Sequence, residues 1–204
     1  FVLGSENKYN KIPVGIDCER CHGPGELHLN QVKQGNIVDT IHNIDYTIVN
    51  PGKLSIELQN DICARCHLQG NAVLQNKKNF FDFRPGMYLK EVMDVYLPRY
   101  SNSDYEFIMA SHVDRMKLSQ CYIKSNEALS CVNCHNPHVS VKEVPDNFFN
   151  SSCFKCHSDL SCTENEIKKT RYNNDCVKCH MSTSTTLDIP HVRITDHKIA
   201  INQE

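Results

Sequence analysis

The chain has 204 residues and a formal charge of −2, from 22 basic and 24 acidic side chains. This near balance leaves no basic patch that would attract nucleic acid, and no acidic tail is evident. No stretch approaches the roughly 18 consecutive apolar residues of a membrane-spanning helix, and the length allows one or two domains. Hydrophobic residues make up 40% of the chain and Trp is absent, so the core expected for this length is thin.

The first notable pattern is Cys-x-x-Cys-His at residues 18–22, followed by a Gly-Pro-Gly turn at 23–25. Residues 29–50 are predicted to form a surface loop. A second copy of the motif, at residues 63–67, follows apolar residues that recur on one helical face. The pattern predicts a helix that runs into this motif. The residues on its apolar face are Leu54, Leu58 and Ile62.

The middle of the chain predicts a surface loop over 69–84 and then two helices. The first helix covers 88–96, and its apolar face comprises Tyr88, Leu89, Val92, Met93 and Tyr96. The second covers 103–116 and opens with a capping box of Ser103 and Glu106. The apolar stripe of this second helix comprises Tyr105, Ile108, Met109, His112, Val113 and Met116.

Three further copies of the motif follow at 131–135, 153–157 and 176–180, at intervals of 22 to 23 residues. The uneven distribution predicts an N-terminal lobe over 1–100 with two motifs and a C-terminal lobe over 101–204 with three. One continuous domain is the alternative arrangement.

Each Cys-x-x-Cys-His motif is the attachment signature of c-type haem, in which both thiols form thioethers and the His becomes the proximal iron ligand. A random order of 12 Cys and 11 His predicts about 0.04 copies. Five copies therefore indicate five covalently bound haems. The thioether cysteines are Cys18, Cys21, Cys63, Cys66, Cys131, Cys134, Cys153, Cys156, Cys176 and Cys179. The proximal ligands are His22, His67, His135, His157 and His180.

Zinc is the competing interpretation of these cysteines. A structural zinc site uses two Cys-x-x-Cys pairs, or one pair with two spaced His, and does not require His directly after every second Cys. Haem also explains the thin core, because buried porphyrins would supply apolar surface at roughly 25 cal/mol per Å². We therefore expect a mainly α-helical fold with extensive irregular loops, built around stacked covalent haems and unable to fold without them.

Six other histidines could supply distal ligands: His28, His42, His112, His138, His191 and His197. Five bis-His haems need five of them. Met sulfur is a rival axial ligand, although Met is more often core filler. His42 is the weakest candidate, because it lies in a polar loop and could be a surface residue or serve a haem outside this chain.

His138 follows His135 by only three residues. Two ligands on opposite sides of one iron have Cα atoms roughly 12–13 Å apart, whereas three residues span at most about 10–11 Å. If His138 is a ligand, it therefore binds a different haem from His135. For His28, six residues after His22, the intervening turn likewise favours donation to another haem.

Two cysteines, Cys121 and Cys162, lie outside the motifs. Covalent haem attachment normally takes place outside the bacterial cytoplasm, so we expect a periplasmic or extracellular protein of the cell envelope. An oxidising compartment favours a disulfide between Cys121 and Cys162, with free thiols or an intermolecular link as alternatives. The chain starts at Phe1 without Met or a signal peptide, so we expect a processed chain or a fragment.

Six stretches of the chain carry a family resemblance: residues 16–28, 48–54, 66–70, 111–116, 134–138 and 188–197. Together they resemble the multihaem c-type cytochromes that are related to the tetrahaem electron-transfer partner of hydroxylamine oxidoreductase. This family is often fused to tetratricopeptide repeats, and related chains usually carry further haem motifs upstream. The resemblance places distal ligands at His28, His112, His138, His191 and His197.

Three functions follow from the motifs. The first is electron transfer between protein redox partners, because six-coordinate bis-His irons offer no open position for a substrate. The second is a multihaem oxidoreductase that acts on a small nitrogen or sulfur compound at one five-coordinate haem. The third, a subtype of the first, is self-association into an extracellular conduit or filament. The six spare histidines favour electron transfer over an enzyme.

Overall fold

The computed structural model of the chain describes residues 15–98, 111–145, 147–158, 162–185 and 191–201. The chain divides into two compact units, Phe1–Arg99 and Tyr100–Glu204. In the described residues, short helices are joined by loops, and the strands form two small two-stranded sheets. The predicted helical fold with little sheet is confirmed.

The described residues of the first unit form three helices, two 3-10 turns and one two-stranded antiparallel sheet. In chain order, its elements are α1 (Glu19–His22), α2 (Gly25–Lys33), a 3-10 turn (Pro51–Lys53), α3 (Ile56–His67), β1 (Asn71–Leu74), a 3-10 turn (Leu89–Glu91) and β2 (Met93–Tyr96).

Helix α3 is the predicted helix that runs into the second motif. Its N-terminus is capped by Ser55, whose side chain accepts a hydrogen bond from the backbone N–H of Leu58. The opposite end is held to a distant segment, because Arg65 donates to the carbonyl of Phe80 at 2.7 Å. The Asp61 carboxylate accepts from the backbone N–H of Leu89 at 2.9 Å. These contacts fix the motif at the end of α3 against the residues that lead into β2.

The helix predicted over 88–96 is wrong. Its first part is a 3-10 turn, and Met93–Tyr96 is a strand that pairs antiparallel with β1, Leu74 opposite Met93. The helical spacing was misleading because pairing with a distant strand overrides local periodicity. Gly70 permits this pairing, since a Cβ atom there would lie 2.6 Å from the carbonyl oxygen of Tyr96.

The two predicted surface loops are wrong in part. Helix α2 continues to Lys33, so the first five residues of the loop predicted from residue 29 are helical. Strand β1 occupies Asn71–Leu74 within the loop predicted over 69–84. The remaining described residues of both segments are turns and irregular backbone.

The interior of the first unit is apolar. Helix α3, the loop before the second 3-10 turn and strand β2 contribute most of it. Phe83 and Val92 are 1% and 0% exposed. The buried hydrophobic residues of this unit are Val49, Leu54, Ile62, Ala64, Phe80, Phe83, Leu89, Val92 and Met93.

The second unit is built from shorter elements. In chain order they are α4 (His112–Lys117), α5 (Gln120–Lys124), a 3-10 turn (Cys131–Asn133), α6 (Asn150–Cys153), α7 (Glu166–Arg171), α8 (Cys176–His180), β3 (Thr183–Thr185) and β4 (Arg193–Thr195). Strands β3 and β4 pair antiparallel, with Thr183 opposite Thr195.

The long helix predicted over 103–116 is corrected at its C-terminal end. Ser111 has φ −103° and ψ 85°, which is not helical, and α4 begins at His112. The predicted capping box of Ser103 and Glu106 lies outside the described residues. The apolar stripe survives in part, because Val113 and Met116 are buried.

Among the described residues of the second unit, most of the buried side chains are polar. Its buried hydrophobic side chains are Val113, Met116 and Tyr122. Its buried polar or charged residues are Ser111, Arg115, Ser119, Ser130, Asn150, Asp175 and Asp196. The described part of this unit is therefore held together largely by hydrogen bonds.

Candidate haem-binding sites

The attachment motifs fold into single helical turns. In the first, third and fourth copies, the backbone N–H of the His donates to the carbonyl of the first Cys at 2.9 Å. In the second and fifth copies, helices α3 and α8 end at the motif His. Because positions i, i+3 and i+4 share one helical face, both thiols and the imidazole lie on the same side of each turn. This arrangement fits attachment to one porphyrin edge with the imidazole beneath it.

The cysteines of the motifs are accessible for thioether formation. All ten are half-buried or exposed, and none is fully buried. A structural Cys in an apolar core would be inert, whereas these sulfurs can be reached by a prosthetic group. Among the described residues, no group of three or more His, Cys, Asp or Glu side chains converges to hold a metal ion, as a zinc site would require.

The first two motifs lie beside each other in the first unit. The pKa of the Cys21 thiol is raised, first by burial and then by the neighbouring sulfurs of Cys63 and Cys66. These residues are more than 40 positions apart in the chain. The fold therefore brings two attachment sites within electrostatic range.

The last three motifs also cluster, with the fourth between its neighbours. Burial, the sulfurs of Cys176 and Cys134, and a hydrogen bond with Cys176 raise the pKa of the Cys153 thiol to about 12. The side chain of Asn150 holds the fifth motif, since it accepts from the backbone N–H of Cys176 at 2.9 Å. Lys155 donates to the carbonyl of Asn133 in the third motif at 3.3 Å.

Two proximal histidines are held by the same reciprocal pair of hydrogen bonds. His22 Nδ1 lies 2.7 Å from the carbonyl oxygen of Val49, whose backbone N–H donates to the carbonyl of His22 at 2.8 Å. His180 Nδ1 lies 3.0 Å from the carbonyl oxygen of Ala200, whose N–H donates to the carbonyl of His180 at 3.1 Å. We call each arrangement a histidine clamp.

The clamps determine which ring nitrogen carries the proton. A carbonyl oxygen can only accept, so Nδ1 of His22 and of His180 must be the donor. Nε2 then carries the lone pair, as an iron ligand requires. Hydrogen bonding of the second nitrogen to a carbonyl is the usual way in which a protein orients a metal-binding imidazole. The residues present therefore fit a haem at these motifs.

His28, a predicted distal ligand on α2, has a different partner. Its Nδ1 lies 3.0 Å from a carboxylate oxygen of Asp45 and 3.3 Å from the hydroxyl oxygen of Thr47. The Asp45 side chain is only 6% exposed. Hydrogen bonds from Thr47 hold the pKa of the Asp45 carboxyl below its usual range, with a smaller contribution from His28. The ionised carboxylate again makes Nδ1 the donor and leaves the lone pair on Nε2.

Three predicted ligands converge in the second unit. The rings of His112 and His197 are stacked with centres 4.4 Å apart, and the centre of the proximal His135 ring lies 6.0 Å from that of His197. Burial and the nearby His112 lower the pKa of His197 to about 4, which keeps its imidazole neutral. Rings on opposite sides of one iron have centres roughly 6 Å apart, given metal–nitrogen distances of about 2.0 Å. The structure therefore brings three predicted ligands, one proximal and two distal, into one cluster.

A buried ion pair holds this cluster together. Arg115, three residues after His112, forms a bidentate pair with Asp196, which directly precedes His197. The Nε–Oδ1 and Nη2–Oδ2 distances are 2.9 and 2.6 Å. The two side chains are 6% and 10% exposed. Helix α4 and the segment after β4 are thereby locked together where their histidines stack.

The remaining predicted ligands are exposed. They are the proximal His67 and His157, the distal candidates His138 and His191, and His42. His42 is 76% exposed and pairs only with the neighbouring carboxylate of Asp39, at 2.7 Å. His191 has φ 64°, in the left-handed region.

The two cysteines outside the motifs are free thiols in the structure. Burial raises the pKa of Cys121, with a further contribution from the sulfur of Cys156. Cys162 is exposed. The Cys121–Cys162 disulfide stays a prediction. Among the described residues, no helix is both long and apolar enough to cross a membrane.

Sequence reasoning missed the residues that orient the imidazoles. Val49 and Ala200 act through their backbones, so their side chains gave no signal. Arg115 and Asp196 meet across 81 residues. Asp45 had a local signal, because Asp-x-Thr is typical of a turn in which the carboxylate accepts from the residue two positions later.

Comparison with known proteins identifies two distant relatives. The chain is 28% identical over 161 residues to "Multiheme cytochrome MtrA" of Shewanella baltica, covering 74% of this chain and 45% of that protein. It is 23% identical over 183 residues to "Cytochrome c-552" of Porphyromonas gingivalis, covering 80% of this chain and 35% of that protein. The chain thus spans less than half the length of both relatives.

No family model and no solved structure matches the chain. The closer relation to the partner of hydroxylamine oxidoreductase stays a prediction. The two relatives, the repeated attachment motif and the orientation of the imidazoles together support a multihaem c-type cytochrome with covalently bound haem.

Proposed function

We propose that this protein transfers electrons between redox protein partners through five closely spaced c-type haems, each with two His ligands. The observation that carries this proposal is the close approach of attachment motifs within each unit. Cys21 lies within electrostatic range of Cys63 and Cys66. Cys153 is hydrogen-bonded to Cys176 and lies within electrostatic range of Cys134. Haems attached to neighbouring motifs would lie side by side, as electron transfer along the protein requires.

The ligand chemistry supports the same role. Two neutral imidazoles leave an iron with no open position, so the metal changes oxidation state without binding a substrate. Clamped proximal rings at His22 and His180 resist movement during that change. A low pKa for His197 keeps a further lone pair available near neutral pH.

We place this activity in the bacterial cell envelope, in the periplasm or outside the cell, because c-type haem is normally attached there. The partners would be other redox proteins, or further copies of this chain in a conduit or filament. The name of the Shewanella relative describes a multihaem cytochrome, which agrees with electron transfer by several haems.

Electron paramagnetic resonance of the fully oxidised protein, with total haem quantified, tests the proposal. We expect five haems per chain, all low-spin, because two imidazoles produce a strong ligand field. A high-spin ferric signal that integrates to about one haem would indicate an open iron and favour an oxidoreductase for a small nitrogen or sulfur compound.

A matched pair of variants makes the test specific to the assigned ligands. We expect His112→Ala to convert one haem to high spin, because His112 lies in the ring cluster with His197. His42→Ala should leave every haem low-spin, because His42 is 76% exposed and bonded only to its local Asp39. An unchanged spectrum for His112→Ala would overturn its assignment as a ligand.

A further inference from the structure

His28 and Asp45 form a partly buried histidine–carboxylate pair that the sequence did not predict. They are separated by 17 residues, yet His28 Nδ1 lies 3.0 Å from Asp45 Oδ2. The Asp45 side chain is 6% exposed, whereas the His28 side chain is 33% exposed. The carboxylate therefore lies inside the fold, and the imidazole extends from it toward the surface.

The carboxylate is fixed before it meets the imidazole. Its Oδ1 atom accepts from both the backbone N–H and the hydroxyl of Thr47. This leaves Oδ2 for the His28 ring. Two donors on one oxygen hold the plane of the carboxylate, so the direction of the bond to His28 is set by the backbone at residues 45–47.

Three other predicted ligands have a neutral Nδ1 partner, whereas the exposed His42 pairs with the Asp39 carboxylate. His22, His180 and His197 each face a backbone carbonyl oxygen, of Val49, Ala200 and Thr195 respectively. A charged acceptor draws the Nδ1 proton more strongly than a carbonyl does. The ring then carries more negative charge at Nε2, which makes it a more basic metal ligand.

We propose that Asp45 is a positioning residue that lowers the reduction potential of the haem whose iron His28 binds. A more basic ligand and a nearby buried negative charge both favour ferric over ferrous iron. The iron gains or loses one electron while the Nδ1 proton stays on His28. This inference rests on the proposed function, since it requires His28 to be an axial ligand.

Replacement of Asp45 by Asn in the complete haem-loaded protein is the direct test. Asn keeps the size of the side chain but removes the negative charge and one of the two acceptor oxygens, which in Asp45 bond separately to Thr47 and His28. In a spectroelectrochemical titration, we expect the midpoint potential of one haem to rise while the others stay unchanged. The electron paramagnetic resonance spectrum should remain low-spin throughout.

The chain contains a matched control in Asp39 and His42. Their side chains also form a histidine–carboxylate pair, at 2.7 Å, but they are 55% and 76% exposed. We expect Asp39→Asn to move no midpoint potential. A shift of equal size in both variants would mean that the effect is general surface electrostatics, and it would overturn the role assigned to Asp45.

Two further variants separate charge from folding. Asp45→Glu keeps the carboxylate, and we expect the midpoint potential of this variant to stay closer to the native value than that of Asp45→Asn. Thr47→Val removes the hydroxyl bond to Asp45 but keeps the backbone N–H bond, so a smaller upward shift is expected. If Asp45→Asn is poorly folded, an unchanged midpoint potential in well-folded Thr47→Val would overturn the proposal.

His28→Ala distinguishes failure of this inference from failure of the ligand assignment. We expect one haem to become high-spin. If all haems remain low-spin, His28 is not a ligand and the role of Asp45 falls with it. If one haem becomes high-spin while Asp45→Asn moves no potential, only the role of Asp45 is overturned, and electron transfer stands.

Discussion

The two units of the molecule bury different chemistry. Among the described residues, nine of the twelve buried hydrophobic side chains lie in the first unit, whereas seven of the nine buried polar residues lie in the second. The first unit carries two attachment motifs and the second carries three. Among the described residues, the unit with more predicted haems is therefore the one with fewer buried hydrophobic side chains.

This difference indicates two ways of holding a haem-binding chain together. In the first unit, a helix and a two-stranded sheet enclose side chains such as Phe83 and Val92. In the second, a bidentate ion pair and the side chain of Asn150 join the segments. Buried apolar area stabilises a fold without further partners, whereas a polar interior of this kind needs apolar surface from elsewhere. Covalent porphyrins would supply it.

Removal of haem should therefore affect the units unequally, and this is the largest effect that we expect. In chain produced without haem attachment, residues 111–201 should lose nearly all amide protection. Part of the protection should remain in α3 and in the β1–β2 sheet, because their apolar contacts persist. Hydrogen exchange with mass spectrometry measures both. Equal protection in the two units would show that burial in the structure does not predict dependence on haem.

Arg115→Met should cost about 3–5 kcal/mol of stability, because it leaves the buried Asp196 carboxylate without its partner. Hydrogen exchange of peptides from α4, together with denaturant unfolding of the haem-loaded protein, reports this loss.

A second substitution, Asp196→Leu in the Arg115→Met background, should recover much of that loss, because no buried charge then remains. The matched control is Arg193→Met, which should change stability by less than about 0.5 kcal/mol, because Arg193 is exposed. Equal losses for Arg115→Met and Arg193→Met would contradict a structural role for the buried pair.

Val92→Ala tests the apolar interior of the first unit and should have the smallest effect of the three. Loss of two buried methyl groups costs about 2 kcal/mol, because Val92 is 0% exposed. Val73→Ala, at a position that is 49% exposed in the neighbouring strand, should be nearly neutral. The comparison between the units would be weakened if the two substitutions were equally costly.

The sequence predicted the features that depend on short spacing. Five Cys-x-x-Cys-His copies are local patterns, and each described copy adopts the turn that this spacing favours. The helix through Ile62 was also predictable, because its apolar face agrees with its burial. In both cases the residues that determine the structure lie within a few positions of one another.

Long-range pairing is what the sequence left open. Tyr88–Tyr96 has helical spacing, but part of it pairs with β1 instead. Ser111 interrupts the apolar stripe that predicted a longer helix. The ion pair of Arg115 with Asp196 links residues that are 81 positions apart. None of these features has a local sequence pattern, because each depends on packing of the whole unit.

The histidine clamps also imply an order of events during biosynthesis. Val49 lies 27 residues after His22, and Ala200 lies 20 residues after His180. A chain that emerges N-terminus first exposes each of these motifs before the residue that orients its imidazole has appeared. Thioether formation can therefore take place on a motif whose ring still rotates, and the later residue then locks that ring in place.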